Sequence, residues 1–277
     1  TILPLMTTFL FWNLNNKPLH KTITNLVLRH DVDVLMLVEC TISPEVMLAT
    51  LNQQARPQFS LAKDYGICKK VVIYTRFSRN FLIPRFDDTD RLTIRHLKLP
   101  ARDEILLAVV HLGSKMSYNG FDQLTESIIL ADHLRKVEKK IGHSKTVLVG
   151  DFNMNPFENG IVNAKGFHAV MTRDIAAEKE RKIKGKAYPY FYNPMWNYFG
   201  DGKNKPPGTY YYRGSTYTTF FWNIFDQVLL RPDLMSFFKN DNLKIISEDG
   251  EISFLKKGRP DSSVADDHLP ILFKLNL

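Results

Sequence analysis

Cysteine is scarce. The 277 residues hold two, Cys40 and Cys68, in or beside apolar runs and at a spacing that suits neither a zinc site nor a disulfide framework. A reduced, cytoplasmic setting is therefore expected. Long hydrophobic runs are also missing: no stretch approaches the roughly 20 apolar residues that span a bilayer, so no membrane insertion is expected. The apolar start, TILPLMTTFLFWN, lacks a basic leader and a small-residue cleavage site and reads as a first core strand. It begins at Thr1 rather than Met, which leaves an upstream segment open. No low-complexity linker divides the chain. Acidic residues are in deficit, 29 Asp and Glu against 37 Lys and Arg, and the net charge is +8. That balance suits anionic partners such as nucleic acid or phosphorylated substrates, and by itself says nothing about chemistry.

What is present is an ordinary globular composition, 44% hydrophobic and 24% charged, enough for one large domain to bury a core. A strand at 7–12 runs into Asn13-Leu14-Asn15, a helix follows at 21–29, and a continuous apolar strand at 32–38 ends at Glu39. Ser43-Pro44 opens a helix that reaches about residue 51. Strands at 71–75, 92–99 and 105–110 come next, the last ending at His111. Apolar residues three and four apart predict a helix over 122–141, stopped by Gly142. A strand at 146–149 stops at Gly150 and delivers Asp151-Phe152-Asn153, and a later strand at 224–230 carries Asp226. Glu248-Asp249-Gly250-Glu251, inside 244–255, signals a hairpin. Asp266-Asp267-His268-Leu269-Pro270 precedes a last strand at 271–275. The expectation is a single domain, 1–277, with a mixed, mostly antiparallel β core, helices outside and two loosely similar halves.

Asp151 and Asn153, one residue apart on extended chain, share a face at a strand's C-terminal end, where open α/β sheets place their ligand chemistry. The strand ends together supply Asn13, Asn15, Glu39, His111, Asp151, Asn153, Asp226, Asp267 and His268. These are oxygen-rich donors with two imidazoles and no thiolate, a set that selects magnesium, manganese or calcium over zinc. Magnesium held by one or two carboxylates is the form suited to phosphoryl chemistry. Each residue also has an ordinary reading: Glu39 as a cap or ion-pair partner, Asn13 as a turn, His111 as a core histidine, Asp267-His268 as a polar turn. Asp226, flanked by Phe225 and Val228, is harder to explain so, because a buried carboxylate needs a partner.

The segment 179–222 is an aromatic and basic loop insertion. Within it, residues 188–222 hold 14 of the 33 aromatics, interleaved with Lys203, Lys205 and Arg213. With Tyr211 and Trp222, these cations are candidate substrate contacts, since aromatics stack on unpaired bases while cations track a phosphate backbone. The alternative is a loop that packs itself down with large side chains.

Trp12-Asn13, Leu37-Val38-Glu39, Val110-His111-Leu112, Gly150-Asp151-Phe152-Asn153, Phe225-Asp226-Gln227-Val228-Leu229 and Asp266-Asp267-His268-Leu269-Pro270 resemble, in this order, the motif set of the endonuclease/exonuclease/phosphatase superfamily, in its deoxyribonuclease I-like and exonuclease III-like branches. The resemblance implies a four-layered α/β/β/α sandwich, two mixed, mostly antiparallel sheets face to face with helices outside. It implies a divalent-metal-dependent hydrolysis of phosphodiester bonds. Glu39 would bind Mg2+, with Mn2+ or Ca2+ as substitutes, and Asn13 or Asn15 and Asp267 would stand nearby, directly or through water. Asp151, helped by Asn153, would orient and activate the attacking water. His268, oriented by Asp226, would contact the scissile phosphate or move a proton, and His111 would stabilise phosphate oxygens or protonate the leaving oxygen. The charge and the aromatic loop point to a nuclease on DNA or RNA, and a monomer is expected. The alternatives are a phosphatase or sphingomyelinase-like esterase on a small or lipid substrate, and a non-catalytic nucleic-acid- or partner-binding module. Two departures stand out. Asn13-Leu14-Asn15 replaces the Asn-x-Asp of many members, removing one negative charge. The strand at 71–75 also lacks the glutamate that pairs with the first histidine in the deoxyribonuclease I branch, so His111 is expected to lean on another partner.

Overall fold

The computed structural model describes residues 6–62, 68–87, 89–202, 206–265 and 267–277. In chain order, the strands of its two large sheets are β1 (Met6–Asn13), β2 (Val34–Val38), β3 (Ser60–Leu61), β4 (Val71–Thr75), β5 (Leu82–Phe86), β6 (Leu92–Leu97), β7 (Ile105–His111), β8 (Thr146–Asp151), β9 (Ala169–Val170), β10 (Phe191–Tyr192), β11 (Asp226–Leu230), β12 (Leu243–Ile245) and β13 (Ile271–Asn276). The first sheet has the order β12-β13-β1-β2-β4-β3, the second β5-β6-β7-β8-β11-β10-β9. Each is mixed, with a parallel pair at its centre, β1 with β2 and β7 with β8, and the second sheet adds a parallel pair, β9 with β10, at its edge.

The strands are apolar on both faces because each face is covered. In β7, Ile105, Leu107 and Val109 join the core between the sheets, while Leu106, Ala108 and Val110 face the other way. Val147 and Val149 on β8, and Val228 and Leu230 on β11, follow the same period of two into the inter-sheet core. The outer face lies under helix α3 (Gly120–Ile141), which contributes Leu130, Ala131, Leu134 and Val137. Helices α1 (His20–His30) and α2 (Pro44–Gln54) bury Ile23, Leu26, Val27, Met47 and Leu51 against the first sheet. The order of layers is α/β/β/α.

Helix α3 stops at Gly142 as expected and starts at Gly120, two residues before the expected 122. Asn119 accepts hydrogen bonds from the Phe121 and Asp122 amides, Asp122 accepts one from the Asn119 amide, and Gly142 closes the helix at φ 89°. Near its end, Glu138 meets the Arg231 guanidinium through two hydrogen bonds of 2.8 and 3.0 Å, both side chains buried, which ties the helix to the end of β11.

Three expectations change in detail. Strand β5 was not expected, because Pro84 interrupts its run; as the edge strand of its sheet, with a register shift between Pro84 and Phe86, it has no partner on one side for a missing N–H to disappoint. The hairpin expected in 244–255 is a short one, with Glu248 bridging Ser253 antiparallel, the Phe254 amide donating to Ser247 O and Asp249 accepting hydrogen bonds from the Glu251 and Ile252 amides in its turn, while Leu243–Ile245 pairs with β13. The segment 179–222 divides in two. Its first half forms a ribbon, Glu180–Ile183 with Lys186–Pro189, and then sends β10 into the second sheet with Tyr190, Phe191, Tyr192 and Tyr198 buried. Its second half leaves Tyr212, Tyr217, Phe220 and Phe221 exposed.

Candidate active site

The two central parallel pairs bring their C-terminal ends to one rim of the sandwich. Asn13 is the last residue of β1 and Glu39 follows β2; His111 and Asp151 end β7 and β8. Strand β11 runs antiparallel to β8, so it delivers its first residue there, and the register pairs Asp151 with His111 on one side and with Asp226 on the other. The period of two that sends Val109, Val149 and Val228 inward sends His111, Asp151 and Asp226 the same way, towards the first sheet. His268 arrives from that sheet, just before β13.

Asp151 is buried and fully engaged. One oxygen accepts the Asn153 amide at 2.8 Å; the other accepts Asn13 Nδ2 at 3.0 Å and Asn153 Nδ2 at 3.2 Å, with His111 Nε2 4.0 Å away. Asn13 Oδ1 accepts the Asn15 amide at 3.0 Å, which fixes the orientation of its amide group, NH2 towards Asp151. Asn153 is anchored by a bond from its Nδ2 to Leu112 O and by Gln123 Nε2, which donates to Asn153 O at 2.9 Å. Glu39 and Asn153 both hold positive φ, 48° and 50°. Asparagine tolerates that region; glutamate does so at a cost, and such costs cluster where chemistry is done.

The expected new partner of His111 is Glu39, whose Oε1 lies 3.2 Å from its Nε2. The His111 contact, against the opposing effect of partial burial, holds the Glu39 carboxyl below its usual range, so it is ionised at neutral pH.

His268 Nδ1 sits 2.9 Å from Asp226 Oδ2, and Asp226 is completely buried. Burial disfavours a charged imidazole, but the carboxylates of Asp226, Asp151 and Asp267 outweigh it and raise His268 to about 10. The pair therefore carries its proton on Nδ1, facing Asp226. Trp12 Nε1, on the first sheet, donates to His268 O at 2.9 Å, and the Tyr210 ring packs obliquely against the imidazole at 4.7 Å. Thr209 completes the support: its Oγ1 accepts the Phe225 and Asp226 amides and its carbonyl accepts the Leu269 amide. Thr209 and Gln123 are positioning groups that no sequence motif advertised, whereas Trp12 lies in the first motif.

Asn15 Nδ2 reaches Asp267 Oδ1 at 3.4 Å, so the outer donors also converge. Asp151, Asp226 and His268 bring donor atoms within 4.8 Å of one another. Carboxylates of Glu39, Asp151, Asp226 and Asp267 thus share a rim with two imidazoles, a surplus of negative charge and oxygen donors that fits a hard divalent cation. A second cluster, His96, Glu104 and His143, lies at the opposite end of β7 and fits a metal poorly. There His96 Nδ1 faces the Arg85 guanidinium and His143 Nδ1 accepts the Lys145 amide, so each neutral ring carries its proton on the Nε2 that a metal would need.

Of the expected substrate contacts, Tyr211 and Trp222 pair in a short ribbon, Tyr210–Tyr211 with Trp222–Asn223, beside His268. Arg259 lies over the Tyr211 ring, and Arg213 is exposed beyond the ribbon. Lys203 and Lys205 lie outside the described residues.

A profile of the Endonuclease/Exonuclease/phosphatase family matches residues 10–238. The chain belongs to that family. Its members are hydrolases of phosphodiester bonds. Solved structures with the same fold include a family protein from Leptotrichia buccalis (12% identity, TM-score 0.55, covering 97% of this chain and 99% of that one). D. rerio TDP2 complexed with single strand DNA product is similar over 98% of this chain and 99% of that one, at 16% identity and TM-score 0.56. An AP endonuclease from Archaeoglobus fulgidus is similar over 98% and 100%, at 12% and 0.54. No curated protein sequence matches the chain.

Proposed function

We propose that this protein is a divalent-metal-dependent phosphodiesterase that cleaves nucleic acid. The observation that carries the reading is the convergence, from two sheets, of the hydrogen-bonded Asp226–His268 pair on an Asp151 already held by Asn13 and Asn153. Glu39 and Asp267, with Asn13 or Asn15, would hold Mg2+ or Mn2+, directly or through water. The ion would supply charge neutralisation at the phosphate. Asp151 orients the attacking water, with Asn153, and takes its proton as the oxygen bonds to phosphorus. His268, kept cationic by Asp226, contacts a phosphate oxygen, where it opposes the charge that develops. His111 stabilises the same oxygens or gives a proton to the oxygen that leaves. The choice of nucleic acid is supported by the net charge of +8 and by the fold shared with D. rerio TDP2, whose structure holds a single strand DNA product, and with an AP endonuclease.

A second reading, an esterase on lipid, draws on the exposed Tyr217, Phe220 and Phe221. One panel separates the two: single-stranded, double-stranded and abasic DNA, RNA, phosphoinositides and sphingomyelin, each with magnesium and with chelator. Chelator-sensitive cleavage of an oligonucleotide is the expected result. Hydrolysis of lipid alone would overturn the nucleic-acid reading, and activity that survives chelation would overturn the metal dependence.

A further inference from the structure

Beside Glu39 and His111, on the side away from His268, Lys69, Lys70, Arg91, Ser114, Ser117 and Tyr118 enclose a cavity of about 450 Å³. Past Arg91, Ser117 and Tyr118 it continues into a more apolar hollow of about 540 Å³ that takes in Phe121 and Ile129. These two side chains on α3 are 75% and 50% exposed, whereas Leu130, Ala131, Leu134 and Val137 of the same helix pack inward. The polar end is cationic and prearranged. Arg91 donates to His111 O, pairs with Glu126 at 3.5 Å and lies over the Tyr118 ring. Lys70 has only an exposed pair with Asp90, which a phosphate can displace at small cost, and Lys69 has no ion-pair partner among the described residues.

Resting on the phosphodiesterase reading, we propose that this groove binds the unpaired strand next to the bond that is cut: Lys69, Lys70 and Arg91 take the neighbouring phosphate, and Tyr118, Phe121 and Ile129 form the shelf for its base. A cationic cradle opening onto an apolar shelf reproduces the two faces of a nucleotide, and aromatic shelves take any base by its π-face. An unpaired strand can turn its base face onto the shelf, whereas a paired strand keeps that face stacked inside the duplex. The groove begins at Glu39 and His111, so a strand that follows it places its next phosphate at the candidate centre.

The test is a binding titration by fluorescence anisotropy in chelator, with a fluorescein-labelled eight-nucleotide oligothymidylate and with a labelled hairpin duplex. The expected preference is at least tenfold for the single strand. The Lys69→Ala/Lys70→Ala double variant weakens single-strand binding about tenfold and lowers the slope of log affinity against log salt by up to about 0.7, the share of the one phosphate these lysines help neutralise. Phe121→Ala weakens binding about fivefold or more with the salt slope kept. Lys136→Ala, an exposed cation elsewhere on α3, binds as the parent does. Equal binding of duplex and single strand, or variants indistinguishable from the parent, would overturn the assignment. The two levels fail separately: a parent that cuts oligonucleotides while its groove variants bind normally loses only the groove, whereas a parent that hydrolyses lipid and no oligonucleotide loses the nucleic-acid reading itself.

Discussion

Asp151→Asn keeps the shape of the side chain and reverses half of its hydrogen-bonding sense, and the surroundings make that reversal costly. The present carboxylate receives three donors, the Asn153 amide, Asn13 Nδ2 and Asn153 Nδ2. An amide offers one oxygen in place of two. Asn13 cannot turn over to compensate, because its Oδ1 accepts the Asn15 amide, and Asn153 cannot, because its Nδ2 also bonds Leu112 O. The cheapest arrangement keeps the two side-chain donors satisfied and leaves the buried Asn153 amide facing an NH2 group. One buried donor left unsatisfied costs about 1–3 kcal/mol. For a chain of this length that lowers Tm by roughly 2–12 °C. The same change removes the proposed base for the water's proton, and kcat should fall by about 10² to 10⁴. Differential scanning calorimetry and magnesium-dependent hydrolysis of bis(p-nitrophenyl) phosphate read the two effects separately. A variant with kcat within tenfold of the parent refutes the role of Asp151, and one with unchanged Tm refutes the donor count.

Further outcomes follow from other contacts. Gly150→Ala puts a Cβ 2.0 Å from Val110 O, a backbone atom inside the second sheet, at φ 154°; the expected loss is at least about 1–3 kcal/mol, with impaired turnover because Asp151 is the next residue, and a melting curve equal to the parent's would contradict it. Glu138→Ala strands the buried Arg231 and should cost about 3–5 kcal/mol in urea unfolding, while Glu138→Leu with Arg231→Met recovers most of it if the loss is the unpaired charge. His168 is buried, and burial lowers its pKa to about 4 from 6.5. The folded state then resists a proton that the unfolded state accepts, so the contribution is present above pH 6.5 and is lost as pH falls towards 4, about 2 kcal/mol by pH 5. His168→Asn, which suits the local φ of 55° and can still donate to Tyr188 O, should flatten that acid limb; an unchanged pH dependence of unfolding would rule His168 out as its source.

The core strands and the acid, amide and imidazole residues at their ends were legible because both are local. Alternation and apolar runs mark β1, β2, β7, β8 and β11, and a polar residue that ends such a run is visible in one dimension. Less visible is what depends on pairing. Pro84 hides an edge strand whose tolerance for proline comes from having no neighbour on one side. Thr209 and Gln123 look like ordinary polar residues, and their worth lies in carbonyls and amides far along the chain, such as Gln123 Nε2 to Asn153 O. Glu39 as the partner of His111 also required the sheets to be docked, since one follows β2 and the other ends β7. The aromatic segment misled by uniformity of composition: Tyr190, Phe191 and Tyr192 fill the core, while Tyr217, Phe220 and Phe221 do not, and only the pairing of β10 with β11 separates them.

The candidate centre straddles the seam between the sheets. Asn13, Glu39 and His268 come from one side, His111, Asp151 and Asp226 from the other, and the bonds Asn13–Asp151 and His268–Asp226 cross between them. Neither half owns a working part. Turnover can therefore serve as a gauge of docking: a fragment carrying one sheet is inert however well it folds, complementing fragments regain activity only as the faces meet, and during refolding catalysis returns with the last step of assembly rather than with secondary structure.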